Sequence, residues 1–346
     1  MEKDIRDLTL DMIKKELIDL GEKPFRAKQI FRWISQGVDN FSKMTDLSKT
    51  LREKLTLKFY IDNIYISDCL ISEVDKTRKY IFELKDGNVI ESVIMYYKHG
   101  ITACISSQVG CKMGCKFCAS TYAGFDRNLN AGEMVGQVLK MQEDIGQRIS
   151  NIVLMGIGEP LDNFENVDKF LDIVNHPDGL NIGLRHISIS TCGIVPGIKA
   201  LMTKRPQVTL SISLHATTNE RRSGVMPINN KYNIQELMTV CRQYSNSTKR
   251  RISFEYALIK GVNDDKGDAL RLAKMLKGML AHVNIIPINE VSSSELKRTD
   301  RLNVERFKNI LLENGLSATI RRELGSDISA ACGQLRRKRV EKKSGS

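Results

Sequence analysis

The stretch GCKMGCKFCAS, Gly110 to Ser120, contains three cysteines in the spacing C-x3-C-x2-C. Cys111, Cys115 and Cys118 are soft ligands that suit zinc or an iron–sulfur cluster. Structural zinc is usually held by four ligands, often in two separated pairs, and the sequence has no second C-x2-C pair. Three thiolates can instead hold three irons of a four-iron cluster and leave one iron open to a small molecule. The spacing therefore favours a 4Fe-4S cluster.

The chain around this stretch alternates between short apolar strands and amphipathic helical segments. Six strands are predicted, and a helical pattern follows each of them: TACISS, NIVLMGI, RHISIST, VTLSISLHA, RISFEYALI and HVNIIPI. Repeated strand–helix units favour a parallel sheet with helices outside it. The fold class is therefore α/β, either doubly wound or a partial barrel.

Two of these strands have polar residues at every second position. The polar sets are His186, Ser188, Ser190 and Cys192 in one strand, and Thr209, Ser211, Ser213 and His215 in the other. Buried parallel strands are normally apolar on both faces. If the apolar sets face the helices, the polar sets face a ligand-filled lumen. The alternative is that the hydroxyls bond to neighbouring backbone.

In the region before the first of these strands, apolar residues recur with two different spacings. Residues 1–58 have apolar residues at helical spacing, with Arg26, Lys28 and Arg32 on a basic face. Residues 59–98 alternate with period two around an Asp-Gly turn signal, which predicts a β-hairpin extension with Glu91 on its second strand. Glu91 is either an edge-strand charge or a carboxylate aimed into a site.

Composition and charge narrow the class of protein. The 346 residues contain 53 Lys and Arg against 41 Asp and Glu, and the net charge of +12 favours a polyanionic partner such as nucleic acid. No apolar run approaches the roughly 18 residues of a membrane span, and the charged start MEKDIRDLTLDMIKKEL does not resemble a signal peptide. Eight cysteines without an even disulfide framework indicate a reducing, cytoplasmic setting.

The cysteine spacing after the first strand resembles the radical S-adenosylmethionine superfamily. MGIGEP, which ends the second strand, is similar to the superfamily's Gly-Glu element for the methionine amino group; Leu161 replaces the third glycine of a dinucleotide fingerprint. Further motifs resemble the RlmN-type family of dual-specificity RNA methyltransferases. They are GEKPFR, SSQVGC, CKFCAS, GFDRNL, MGIGEPL, SLHA, PIN, GVND and DISAACGQL, in this order from residue 21 to residue 335.

The resemblance implies an activity and its cofactors. That family methylates carbon 2 of an adenine in the peptidyl-transferase region of 23S rRNA and of an adenine in some tRNAs. It uses a 4Fe-4S cluster and two S-adenosylmethionine molecules per turnover, one of which yields a 5′-deoxyadenosyl radical. Implied partners are 23S rRNA, tRNA and a flavodoxin-type electron donor, and the enzyme is expected to be monomeric.

The resemblance also implies roles for single residues. Cys332 matches the cysteine that first accepts a methyl group, Cys104 the one that releases the product through a disulfide, and Glu91 the general base. Cys111, Cys115 and Cys118 match the cluster ligands. The implied S-adenosylmethionine contacts are Gly158, Glu159, Ser190, Ser213, Leu214, His215 and Asn289. Cys69, Cys192 and Cys241 match no role and are taken as packing thiols.

The resemblance divides the chain into four parts. Residues 1–58 are expected to form a helical RNA-binding accessory domain and residues 59–98 the hairpin extension. Residues 99–332 are expected to form a partial (β/α)6 TIM-like barrel, and residues 333–346 a basic tail. Two alternatives are kept: a related methyltransferase that modifies carbon 8 of the same rRNA adenine and confers antibiotic resistance, and a non-catalytic zinc-bearing RNA-binding protein.

Overall fold

The chain forms an N-terminal helical region and a large mixed β-sheet against which further helices pack. The structure is a computed structural model that describes residues 3–122, 124–288, 296–330 and 333–335. Cys332 and Asn289, both predicted site residues, lie outside these ranges, as does the basic tail after residue 335.

Three helices make up most of the N-terminal region: α1 (Leu10–Asp19), α2 (Arg26–Ser35) and α3 (Lys49–Lys58). Thr9 and Ser48 cap α1 and α3, because each hydroxyl accepts a backbone N–H of the first turn. The short strands β1 (Lys3–Asp4) and β2 (Phe59–Tyr60) pair in parallel and connect the two ends of the region.

Ten of the remaining strands form one sheet. The strands after β2 are β3 (Tyr65–Ile71), β4 (Arg78–Glu83), β5 (Val89–Tyr97), β6 (Gly100–Cys104), β7 (Gln108–Gly110), β8 (Phe125–Asn128), β9 (Asn151–Leu154), β10 (Ile187–Thr191), β11 (Thr209–Ser213), β12 (Ile252–Leu258), β13 (Ala281–Pro287) and β14 (Ser317–Ile320). The order in the large sheet is β14-β13-β12-β11-β10-β9-β6-β5-β4-β3, and β7 pairs separately with β8.

The sheet is parallel from β6 to β14 and antiparallel from β3 to β6. The predicted α/β class is confirmed, and within the described residues the sheet runs from β14 to β3 without closing on itself. It differs from the sequence prediction in two respects. A seventh parallel strand, β14, follows the last helix, and the predicted hairpin gains the strand β3 and continues the same sheet.

Seven helices connect or follow the parallel strands: α4 (Ala131–Ile145), α5 (Phe164–Asn175), α6 (Val195–Lys204), α7 (Asn219–Val225), α8 (Ile234–Thr248), α9 (Lys266–Leu276) and α10 (Arg301–Glu313). Both α4 and α8 begin with a capping box, Asn130 with Glu133 and Asn233 with Glu236. None of the described helices has the length and apolar character needed to cross a membrane.

The alternation in β10 and β11 separates the helix-facing core from the lumen. Ile189, Leu210 and Ile212 are fully buried in the main hydrophobic core. Ser190 and Ser213, on the opposite faces, line a cavity. Because successive side chains of a strand point to opposite faces, the helices cover the apolar side and the polar side faces the interior.

Candidate active site

A cavity of about 170 Å³ lies at the C-terminal ends of the parallel strands. The loop after β7 and the ends of β9 to β12 contribute to its wall, at the sheet edge where open α/β proteins bind ligands. The predicted site residues in its lining are Cys111, Cys115, Cys118, Gly158, Glu159, Ser190, Ser213 and His215.

The three motif cysteines lie on the loop between β7 and β8. Gly114, in the middle of this loop, has a φ of 75°, and a Cβ there would lie 3.2 Å from Pro227 Cγ. Glycine is therefore the residue that lets the loop turn at this point. After the turn, the Cys118 N–H donates to the Cys115 carbonyl at 3.1 Å, so both thiols stay on the same wall.

The chemistry of this donor set fits a 4Fe-4S cluster. Burial raises the pKa of Cys111 to about 12 and that of Cys115 well above its usual value, and a charge on Cys118 raises both further. Thiols in such surroundings ionise when a metal binds them. No group of three or more His, Cys, Asp or Glu side chains in the described ranges is placed to hold a single ion, whereas in a four-iron cluster each cysteine binds a different iron.

The GEP turn packs directly against the SSQVGC motif. Gly158 has a φ of 107°, and a Cβ there would lie 2.6 Å from Gln108 Cβ. The Gln108 side-chain carbonyl accepts the Glu159 N–H at 2.9 Å. Two motifs that are separate in sequence therefore form one contact, which only a glycine at position 158 permits.

The Glu159 carboxylate connects the ends of two strands at the cavity. One oxygen accepts the Leu161 N–H at 3.0 Å, and the other accepts the Cys192 N–H at 2.7 Å. Burial raises the pKa of Glu159, whereas the N–H bonds of Cys192 and Leu161 favour the ionised form. The result is an acceptor-rich group fixed in the cavity wall.

His215 is held as a neutral imidazole facing the cavity. Its Nδ1 accepts the Ala257 N–H at 2.9 Å, which assigns the ring proton to Nε2. Burial, with a smaller effect of Arg222, lowers the pKa of His215 to about 3. Its φ of 55° lies in the left-handed region, and the Phe117 ring meets the imidazole edge-on at 4.7 Å. The site thus has a fixed N–H donor.

The other residues predicted to contact S-adenosylmethionine do not all lie in the cavity lining. Ser190 and Ser213 line the cavity. Leu214 is fully buried in the core, and its N–H donates to the Glu255 carbonyl at 3.1 Å, so its side chain is outside the lining. Asn289 lies outside the residues that the structure describes.

Glu91 is fully buried on β5, beyond the lining of the main cavity. The Lys79 ammonium lies 3.4 Å from its carboxylate, and both side chains are almost completely buried. The same ammonium donates to the Ser329 carbonyl at 3.2 Å. Lys79 therefore connects Glu91 to the C-terminal segment that contains Cys332.

Cys104, at the end of β6, lines a second, smaller cavity of about 40 Å³. Ala330, two residues before Cys332, lines this second cavity, and Gly333, directly after Cys332, lines the main one. Arg321 contributes to both walls. The described neighbours of Cys332 thus contact both sites.

The segment before residue 331 is attached to the turn between β3 and β4. The Gly325 N–H donates to the Asp75 carboxylate at 2.9 Å, and the Glu73 N–H donates to the Asp327 carboxylate at 3.1 Å. A Cβ on Gly325 would lie 2.9 Å from a Thr77 methyl group, so the two segments are in close contact.

The segment after residue 332 is attached to the turn that follows Cys118. The Ala119 N–H donates to the Gly333 carbonyl at 2.7 Å, and the Ser120 hydroxyl donates to the Leu335 carbonyl at 2.8 Å. The described residues on both sides of Cys332 are therefore anchored, one side by the antiparallel strands and the other by the cysteine loop.

The described cysteines are all free thiols: Cys69, Cys104, Cys111, Cys115, Cys118, Cys192 and Cys241. Cys192 is buried and lines the main cavity, in agreement with its place in the alternating pattern, and Cys241 is buried in the core. The predicted disulfide partner of Cys104 is Cys332, which is outside the described residues.

Gln108 lies in the SSQVGC motif but receives no role from it, and two further residues at or near the site, Lys79 and Arg222, lie outside the quoted motifs. Gln108 supports the GEP turn, and Lys79 contacts Glu91. Arg222 is fully buried, although it follows another arginine in a polar segment that is typical of an exposed surface. The β4 sequence gives no signal for Lys79, because its face also carries Glu83 while the aromatic Tyr80 and Phe82 lie on the other face; no signal exists for Arg222 either.

The basic face predicted on α2 contacts the segment between α5 and β10 through one aspartate. Lys28 and Arg32 pair with Asp178 at 3.1 and 2.8 Å. Arg26 bonds to Gln29 at 2.7 Å and stacks on the exposed ring of Phe25. Lys28 and Arg32 remain about half exposed, so the face keeps a positive surface next to this contact.

Comparisons with known proteins agree with these features. The family model "Ribosomal RNA large subunit methyltransferase N-terminal domain" matches residues 3–61, and "Radical SAM superfamily" matches residues 105–273. A crystal structure of a radical SAM methyltransferase from Sphaerobacter thermophilus is 41% identical, with a TM-score of 0.91, and the match covers 96% of this chain and 99% of that one.

Curated relatives match over nearly the full length. "Probable dual-specificity RNA methyltransferase RlmN" of Alkaliphilus oremlandii is 55% identical over 342 residues, covering 99% of this chain and 100% of the relative. The protein of the same name from Clostridium novyi is 54% identical over 336 residues, covering 97% and 98%.

The parallel sheet, the three-cysteine loop and the matched residues define a radical S-adenosylmethionine enzyme. Enzymes of this class use S-adenosylmethionine and a 4Fe-4S cluster. Within the class, the chain belongs to the RlmN family and is a radical S-adenosylmethionine RNA methyltransferase.

Proposed function

We propose that the enzyme methylates carbon 2 of an adenine in 23S rRNA and of adenine 37 in a subset of tRNAs. Each turnover uses two S-adenosylmethionine molecules and a methyl group carried by Cys332. Cys111, Cys115 and Cys118 hold the cluster, Glu91 acts as the general base, and Cys104 releases the product. The curated relatives named as dual-specificity RNA methyltransferases support the choice of RNA substrates.

The anchoring on both sides of Cys332 is the observation that carries this proposal. Before Cys332, Lys79 and Asp75 hold the segment beside Glu91 and the cavity of Cys104. After it, Ala119 and Ser120 hold the segment beside the cysteine loop. A thiol that must react first at the main cavity and then with Cys104 needs a segment with access to both.

The chemistry of the target atom explains why such a relay is needed. Carbon 2 of adenine is neither nucleophilic nor acidic, so it cannot displace a methyl group from a sulfonium directly. A cluster held by Cys111, Cys115 and Cys118 would supply the one electron that cleaves S-adenosylmethionine to methionine and a 5′-deoxyadenosyl radical. Gly158, Glu159 and His215 bind and orient the methionine and adenosine parts, with the His215 Nε2–H as a fixed donor.

Glu91 and Cys104 both lie outside the lining of the main cavity. The Lys79 ammonium stabilises a negative charge on Glu91, as a base requires before it takes a proton. Cys104 is buried at the smaller cavity, so its disulfide with Cys332 would form away from water. The proposed setting is a cytoplasmic monomer that receives electrons from a flavodoxin-type donor and binds RNA through its N-terminal helices.

The test is to incubate the anaerobically reconstituted enzyme with 23S rRNA fragments and tRNA, S-adenosylmethionine and a reductant. We expect 2-methyladenosine in digested RNA by chromatography and mass spectrometry. Cys332→Ala should abolish the product, whereas Cys69→Ala, which alters a half-buried cysteine on β3, should retain it. Formation of 8-methyladenosine alone would assign the carbon-8 reaction, and a colourless, zinc-bearing protein would exclude radical chemistry.

A further inference from the structure

Arg222 is a fully buried arginine on α7 whose hydrogen-bond acceptors are all neutral. Its guanidinium donates to three backbone carbonyls at the ends of β10 and β11, those of Cys192 at 2.6 Å, Ser213 at 3.1 Å and Leu214 at 3.1 Å. The remaining bond goes to the Asn229 side-chain oxygen at 3.3 Å. No carboxylate among the described residues pairs with it.

The neighbouring arginine shows the usual arrangement. Arg221 pairs with the carboxylates of Asp265 and Asp268 and is partly exposed. A buried arginine without an opposite charge is costly, because it stays protonated at all ordinary pH values and desolvation costs several kcal/mol. The four oxygens that bond to Arg222 are neutral, so none of them supplies a charge opposite to that of the guanidinium.

The helix of Arg222 supports the cysteine loop directly. The Lys116 N–H, inside the loop, donates to the Val225 carbonyl at the end of α7 at 3.0 Å. Met113 of the loop packs with Val225 and Met226 in a small apolar cluster that also contacts Cys111 and Cys115. Arg222 is thus held behind the wall that carries the motif cysteines.

The Arg222 guanidinium reaches the peptide group of Cys192, and the Cys192 side chain lines the same cavity as Cys115. Cys115 belongs to the motif that would bind the cluster and become a thiolate. Three thiolates would give an oxidised four-iron cluster a net negative charge, and one-electron reduction would add another.

We propose that Arg222 is the fixed counter-charge of the cluster and raises its reduction potential. It is a positioning residue: it acts through space and through the strand-end carbonyls, without contacting the cluster or S-adenosylmethionine. A guanidinium suits this position better than an ammonium because its planar fork reaches carbonyls of two strands at once. The inference rests on the proposed cluster ligation and adds a residue that the family motifs did not assign.

The experiment compares the wild type, Arg222→Met, Arg222→Lys and the control Arg205→Met after anaerobic reconstitution with iron and sulfide. Arg205 is a largely buried arginine that pairs with Asp168 and Asp172, on a helix end away from the cysteine loop. The midpoint potential is measured by dithionite titration with electron paramagnetic resonance detection, in the absence of RNA. The unfolding temperature of each protein is measured with and without the cluster.

We expect Arg222→Met to shift the midpoint to a more negative potential, and Arg222→Lys and Arg205→Met to leave it close to that of the wild type. The rise in unfolding temperature on cluster loading should also be smaller in Arg222→Met. A fully loaded Arg222→Met with an unchanged potential would overturn the inference. If Arg222→Met does not bind the cluster, the test rests on Arg222→Lys. Normal cluster loading and a normal potential in Arg222→Lys would support the role of charge, whereas its failure to bind the cluster would refute that role.

A failure of the inference about Arg222 can be distinguished from a failure of the proposed function. A wild type that binds no iron and sulfide would contradict the cluster ligation itself. A loaded wild type whose potential does not depend on residue 222 would contradict only the inference about Arg222, and RNA methylation at carbon 2 could still be tested independently.

Discussion

Lys79→Met tests the buried ion pair with Glu91 and should destabilise the antiparallel part of the sheet. The two charged groups are 3.4 Å apart, and their side chains are 7% and 1% exposed. Removing one partner of such a pair costs about 3–5 kcal/mol, because the other charge is left in a poorly solvated place. At 1.36 kcal/mol per factor of ten, this is a loss of about two to four powers of ten in the local folding constant.

The assay is urea unfolding together with hydrogen exchange of the amides in β4 and β5. Hydrogen exchange is needed because a chain of this size does not have to unfold in one step. Lys140→Met is the matched control: Lys140 pairs with Glu143 at 2.8 Å, but Glu143 is exposed, and an exposed pair contributes about 0–1 kcal/mol. Lys79→Met combined with Glu91→Leu should recover much of the loss, since apolar residues of similar volume replace buried pairs well.

Two results would refute this reasoning. If Lys79→Met changed unfolding and exchange no more than Lys140→Met, the buried pair would not contribute as its geometry indicates. If the double variant were as unstable as the sum of its single variants, the loss would come from packing and from the Ser329 contact rather than from charge.

Four further outcomes are expected. Burial raises the pKa of Asp4 from 3.8 to about 6, so stability falls as pH rises from about 4 to 6; Asp4→Asn should flatten this fall in urea titrations. The low pKa of His215 means that stability falls as pH decreases from 6.5 towards about 3; His215→Asn, which can accept the Ala257 N–H and adopt a positive φ, should remove this dependence and weaken S-adenosylmethionine binding in calorimetry. Gly158→Ala should abolish that binding because its Cβ would lie 2.6 Å from Gln108, whereas Gly224→Ala, with open space around it, should not. Asp178→Ala releases Lys28 and Arg32 and should make RNA affinity fall more steeply with salt in filter-binding titrations.

Much of the fold can be predicted from local periodicity. The alternation of β10 and β11 identifies the lumen-facing side from the sequence alone, because a strand repeats every two residues and its faces separate by polarity. The strand β14 escapes such a prediction because its sequence SATI contains only one large apolar residue, whereas the equally short β9, NIVL, contains three. The joining of β3 to the parallel sheet escapes it because it depends on pairing between distant segments.

The residues of the site likewise fall into those that the sequence predicts and those that it does not. Short motifs predict the cysteine loop and the GEP turn, since the chemistry requires those residue types within a few positions of each other. The pairing of Lys79 with Glu91 and the buried position of Arg222 depend on tertiary packing. A lysine or arginine in sequence usually indicates surface, and only the surrounding fold shows that these two are inside.

The position of Gly333 in the wall of the main cavity determines when that wall can be completed during synthesis of the chain. Cys111 and Gly333 line the same space, although most of the chain separates them, and a ribosome produces the cysteine loop long before it produces residue 333. Until Gly333 and Leu335 bind to Ala119 and Ser120, that side of the cavity is incomplete. The wall of the main cavity can therefore be completed only after the C-terminal segment has been made.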